Sequence, residues 1–206
     1  AHEIGHQLRA EHTFNGQQGA CDGNRASDSS YEPGSASSIM GYAGICGEQN
    51  LQNNSDPYFH VHSIDQMSSH ILSGGGSVCG TLSNTTNTVP TANAGSDYTI
   101  PAHTPFKLTG QANDADDGAT LTYSWEQYDL GPATADKEAD EMDSGQGPLF
   151  RVWSPSSIPT RYLPRMQDVL VSSVTYGETY PTTSRDLNFR LVVRDTLGGV
   201  ADDAMK

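Results

Sequence analysis

The first twelve residues read "AHEIGHQLRAEH", and His2, Glu3, His6 and His12 are the side chains in that run best suited to chemistry. On a helix, residues four apart stand about 400° around the axis, so His2 and His6 project from one face. Two imidazoles on one face suit a divalent metal. His12 supplies a third nitrogen if the helix ends soon after Leu8 and the chain doubles back. Three neutral nitrogens leave one coordination position open, as in a catalytic zinc site. Glu3 follows His2, near such a metal without being obliged to ligate it. It is placed to take a proton from a water that the metal activates.

This run resembles the extended zinc motif of the metzincin peptidases, H-E-x-x-H-x-x-G-x-x-H followed by a Met-turn. Every ligand position matches, and "SSIMGY" supplies Met40 as the Met-turn methionine. The surrounding "HTFNG", "CDGNR" and "YEPGS" with "SIMGYAGICG" are most similar to bacterial reprolysin-like peptidases, relatives of the adamalysins. The resemblance covers about residues 1–80. It implies the C-terminal part of a catalytic domain, whose N-terminal sheet and substrate-binding edge strand lie outside this chain. On that basis the chain alone is expected to be inactive.

The same resemblance assigns further roles. Met40 forms an apolar floor beneath the imidazoles without ligating the metal. Tyr42 stands at the S-x-M-x-Y spacing where some metzincins use a tyrosine to bind zinc or stabilise an oxyanion; a structural tyrosine is the alternative. Arg9 departs from the family pattern, which has glycine there to let the chain leave the helix at positive φ. A non-glycine residue in that conformation costs on the order of 1–2 kcal/mol, against ~10 kcal/mol or more from a metal site. Arg9 therefore bears on the turn more than on ligation. His60, His62 and His70 fall outside the motif spacing and are expected beside the site or on the surface.

Cys21, Cys46 and Cys79 are the three cysteines. None sits in a CxxC pair, which argues against a cysteine–zinc site. Their odd number implies one bridge and one cysteine left over. Cys21 and Cys46 bracket the Met-turn and are placed to clamp its long loop, a bridge worth about 2–4 kcal/mol. The reprolysin resemblance pairs Cys79 with a cysteine in the N-terminal part outside this chain. The alternative is Cys46 with Cys79. Any bridge implies an oxidising setting, so the protein is expected to be secreted or at a cell surface.

Several elements must hold these groups. Residues 1–8 read as the end of a helix, and Thr13 to Tyr58 as a long irregular stretch, a length that implies function or a constraint. "SIDQMSSHIL" predicts a second helix over about 63–72, with Ser63 and Gln66 as a capping box and "GGG" as its stop. Composition changes near residue 80. A Thr/Asn/Pro-rich linker is placed at 81–89, and residues 90–206 alternate like half-buried strands, as in Leu187, Phe189, Leu191 and Val193. Gly131 to Arg185 reads as an elaborated insertion, and "GGVADDAMK" stops where another strand is expected.

The opening of this second segment, through Trp125, resembles immunoglobulin-like domains of the polycystic-kidney-disease type, with Trp125 as the pin between sheets. The fold class expected is thus an α+β metzincin C-terminal subdomain at 1–80, of helices and long loops, plus an all-β immunoglobulin-like sandwich. In "NDADDG", Asn113, Asp114, Asp116 and Asp117 offer oxygens that suit calcium, Ca2+, although the spacing is not that of an EF-hand and a solvated acidic turn is the alternative.

Lys and Arg total 11 against 25 Asp and Glu, a formal charge of −14 over 206 residues. That balance excludes nucleic acid and anionic membrane as partners, and the apolar runs are too short to span a bilayer. Together these readings point to a secreted zinc-dependent (Zn2+) endopeptidase acting on protein or peptide substrates through Glu3. The other reading is a zinc-binding pseudoenzyme, or an adhesive or structural extracellular module without turnover, which Arg9 and the attached sandwich favour.

Overall fold

The computed structural model describes residues 1–116 and 120–206. Helix α1, His2–Gln7, carries the motif, and Glu3 in its first turn complements the positive end of the helix dipole. The helix closes on Arg9 at φ 74°. There Arg9 N–H donates to His6 O at 3.0 Å and Ala10 N–H to Gly5 O at 2.9 Å, the two bonds of a Schellman ending. Arg9 thus takes the left-handed position that glycine usually fills, and the chain turns back as the spacing requires.

From residue 13 to 60 the chain forms short 3-10 turns at Gly19–Cys21 and Gly47–Gln49 and isolated bridges such as Phe14 with Glu32, with no longer element. A small apolar nucleus of Phe14, Cys21, Ala36 and Cys46 holds this stretch, together with buried polar groups. Cys21 and Cys46 are bridged, with Cα atoms 5.2 Å apart, and Cys79 is unpaired and exposed; the Cys46–Cys79 alternative is not formed. Glu32 is fully buried. Its carboxylate accepts from Ser37 N–H at 3.0 Å, Ser37 Oγ at 3.2 Å, Ser38 N–H at 3.2 Å and Thr13 Oγ1 at 2.7 Å. It organises the turn that presents Ile39 and Met40.

Helix α2 spans Val61–Leu72, two residues earlier than predicted. The expected capping box does not form. His60 caps instead, its Nδ1 accepting from His62 N–H at 3.2 Å. Ser63 is buried, and Gln66 reaches sideways, accepting from Glu11 N–H at 3.0 Å and donating to Ser29 Oγ at 3.1 Å. A local cap from His60 thus replaces the expected one, and Gln66 is drawn to tertiary partners.

After residue 80 the described residues form three small antiparallel sheets. β1, Thr91–Asn93, pairs β3, Gln111–Asn113; β2, Phe106–Thr109, pairs β5, Thr160–Leu163. β4, Thr122–Gln127, β6, Phe189–Arg194, and β7, Val200–Met205, form the third sheet in the order β4-β6-β7. The segment expected to stop short of a strand is therefore β7 itself. Trp125 lies opposite Leu191 and is buried with Leu108, Phe150, Leu163 and Phe189. Its indole N–H donates to Pro159 O at 3.0 Å. Burying each such side chain contributes about 1.5–3 kcal/mol, and the period-two pattern predicts this face.

The other face of β4 and β6 is also covered, as strict half-burial did not predict. Glu126 is fully buried there and accepts Val61 N–H at 2.6 Å, while Arg194 donates to Phe59 O at 2.9 Å. The insertion contains short helices α3, Lys137–Asp140, and α4, Met166–Val171. It lies against the first half of the chain: Gln49 Nε2 donates to Thr134 O at 3.1 Å and Asp140 Oδ2 at 2.8 Å, and Ser37 Oγ to Val152 O at 2.8 Å. Residues 81–89, read as a linker, contain no helix or strand and are mostly exposed. The mixed α/β chain is joined by far more than that linker. Among the described residues no helix is long and apolar enough to cross a membrane.

Candidate metal centre

The three predicted imidazoles converge. His12 Nε2 lies 3.3 Å from His2 Nε2 and 3.0 Å from His6 Nε2. Among the described residues His2, His6 and His12 form a group able to hold a metal ion. Each ring has its other nitrogen on a backbone carbonyl: His2 Nδ1 on Ile39 O at 2.7 Å, His6 Nδ1 on Ala10 O at 2.8 Å and His12 Nδ1 on Asn24 O at 2.6 Å. A carbonyl only accepts, so each Nδ1 carries the proton and each Nε2 lone pair is left facing the other two. Three lone pairs facing one another repel unless a cation lies between them. The donor set fits zinc: three neutral nitrogens, one short of a four-coordinate set.

The three carbonyls come from three different structures. Ala10 follows the Schellman turn at Arg9, Ile39 precedes Met40 in the turn organised by Glu32, and Asn24 lies just beyond the bridged Cys21. Spacing in the sequence identifies the imidazoles, but nothing marks the carbonyls, which every residue type carries. Burial lowers the His12 pKa, as do His6 and His2, while the bond to Asn24 opposes them. The net effect favours the neutral, ligating form.

Met40 is fully buried and lies under α1. A Cβ at Gly5 would sit 2.5 Å from its sulfur, so the absence of a side chain at Gly5 lets helix and methionine close together. The Tyr42 ring centroid is 4.5 Å from that of His12 and 5.5 Å from that of His2. Burial, then the Glu3 carboxylate, raises the Tyr42 pKa, so the hydroxyl keeps its proton and remains a donor. Glu3 is exposed, on the helix turn between the two histidines.

The other histidines are elsewhere. His60 and His62 pack with Tyr31 and Tyr128 against β4, His62 Nδ1 lying 3.0 Å from Tyr128 Oη. His60 is fully buried, in the core rather than beside the site or on the surface as expected. His70 is near the end of α2. In the acidic turn, Asp114 Oδ1 accepts from Asp116 N–H at 2.7 Å and Asp116 Oδ2 from Thr88 N–H at 2.5 Å. Asn113 ends β3, and Asp117 lies outside the described residues.

Residues 1–73 match the metallopeptidase family M12B, reprolysin-like, a match that covers the helix, the third histidine, the Met40 turn and α2. Comparison with curated proteins and with solved structures gave no match.

Proposed function

We propose that the chain belongs to a secreted zinc endopeptidase whose metal is held by His2, His6 and His12 and whose general base is Glu3. The observation that carries this reading is the convergence of three Nε2 atoms, each freed by an Nδ1–carbonyl bond, within a segment that matches the M12B family. When bound, zinc supplies Lewis acidity that polarises a scissile carbonyl and acidifies water. Glu3 takes the water's proton on its carboxylate and returns it to the leaving amine. Tyr42, held protonated, is a hydroxyl donor at the edge of the site, suited to a developing negative charge. Met40 fixes the height of α1 and with it the two imidazoles on that helix.

The Cys21–Cys46 bridge supports an oxidising, extracytoplasmic location. For residues 90–206, antiparallel strands around Trp125 support an immunoglobulin-like scaffold.

The test is Glu3→Gln in the natural full-length polypeptide. Zinc content stays at the wild-type level while cleavage of a quenched peptide library falls by on the order of 10²–10⁴-fold. Undiminished cleavage in the variant removes Glu3 from its role. Zinc without cleavage in the wild type favours the second reading, a metal-binding module without turnover.

A further inference from the structure

We infer that the insertion carried by the β half is a brace for the metal centre, with Arg25 as the positioning residue that transmits it to His12. The inference rests on the reading of His2, His6 and His12 as a metal site. His12 is the ligand outside α1; its ring packs on Phe14 and Tyr42, and its Nδ1 is aimed by one bond, to Asn24 O at 2.6 Å. Asn24 is exposed and stands on the arch Asp22–Asn24, with Gly23 at φ 72°. An exposed arch is a poor support for a ligand unless both its feet are fixed.

One foot is Cys21, bridged to Cys46; Asn24 N–H also donates to Cys21 O at 3.1 Å and Asn24 Nδ2 to Ala20 O at 3.0 Å. The other foot is Arg25. Its Nε donates to Asn15 Oδ1 at 3.0 Å and its Nη2 to Gly131 O at 2.7 Å, so one guanidinium bridges the metal half and the insertion. The same strip of insertion continues along the loop: Asn15 Nδ2 donates to Pro132 O at 3.0 Å and Thr134 N–H to Asn15 O at 3.2 Å.

The insertion side is itself stiff. A Cβ on Gly131 would lie 2.5 Å from the Gly147 backbone, and Gly147 O accepts from Arg185 Nη2 at 2.7 Å. Arg185 is in turn tied to Asp143 at 3.0 Å. Gln49, fully buried, ties the neighbouring strip, accepting Gln17 N–H at 2.7 Å and donating to Thr134 O and Asp140. A main-chain carbonyl supplied from over a hundred residues downstream thereby fixes the arch that orients a ligand. Partners that orient metal ligands typically contribute 10–100-fold in affinity.

The experiment uses the whole chain and reads zinc affinity by competition with a chromophoric chelator, together with the visible spectrum of the cobalt(II)-loaded protein. Arg25→Met is expected to weaken zinc by roughly tenfold and to alter the cobalt bands. Gly131→Ala, in which no residue of the metal half is changed, is expected to shift both readings in the same direction by a smaller factor. Arg190→Met, which removes an ion pair with Asp202 on β6 and β7, leaves both unchanged and controls for general loss of stability. Folded Arg25→Met with wild-type zinc affinity and wild-type cobalt bands overturns the brace while leaving the metal site intact. A wild-type chain that binds no zinc overturns the metal reading and the brace with it.

Discussion

The two halves of the chain are held by different physics. After residue 90 an apolar cluster built on Trp125, Phe150, Leu163 and Leu191 is enclosed by paired strands, and stability there follows buried area. Before residue 80 the apolar nucleus is four residues, and the shape is held by a bridge, a buried carboxylate and side chains bonded to main-chain carbonyls. The proposed metal centre accounts for the contrast: directional bonds position ligands in an irregular loop, where a thick core would close over them.

The contrast is first broken or sharpened at Glu32. Glu32→Ala leaves the buried donors of Ser37, Ser38 and Thr13 without their acceptor and is expected to cost about 3–5 kcal/mol. Zinc affinity falls with it, because Ile39 O moves. Leu191→Ala in the β half costs a comparable 2–5 kcal/mol or so, with zinc affinity unchanged. Urea melts paired with chelator competition check both; equal zinc loss in the two variants removes the distinction.

Next comes the bridge. Replacing Cys21 and Cys46 together by Ala, across a separation of 25 residues, is expected to cost about 2–4 kcal/mol. It also loosens the arch bearing Asn24. A melt in which the double variant matches the wild type contradicts the assignment of that half's stability to cross-links.

A smaller effect belongs to the seam between the halves. Burial, and then His60, depresses the His62 pKa from 6.5 to about 4, so the folded chain keeps His62 neutral. As pH falls below about 6.5 the unfolded chain takes a proton that the folded one refuses, and stability is lost down to about pH 4. The full linkage is ~3 kcal/mol, which partial solvent screening reduces to about 1–2 kcal/mol. Denaturant melts at pH 7 and pH 5, run with chelator to silence the metal ligands, should show His62→Gln with a shallower acid loss. An unchanged slope argues against His62.

The smallest change is Arg9→Gly. Relieving φ 74° should stabilise the chain by about 1 kcal/mol with the same zinc affinity, measured by thermal melts. Destabilisation there means that the Arg9 side chain contributes something that the turn geometry does not.

How much was legible follows the same contrast. His2, His6 and His12 are readable because spacing and residue type together define a ligand set. Trp125 and the β6 alternation are readable because a period of two marks a buried face. Asn24 O, Ile39 O and Ala10 O are not, since a carbonyl has no letter in the sequence. The α2 cap is misplaced because Ser63 and Gln66 satisfy the local rule, while the helix starts two residues earlier under His60 and Gln66 turns to Glu11 and Ser29. Nor does the insertion announce its docking: Gly131, Pro132 and Thr134 meet the metal half largely through main-chain atoms.

The central claim is that three imidazoles, each turned by a backbone carbonyl, hold one zinc ion. Elemental analysis of the purified chain, alongside His12→Ala, tests it most directly. The account predicts one zinc per wild-type chain and affinity lowered by about 10²-fold or more in the variant. A wild type without zinc, or a variant that retains it equally well, contradicts the account.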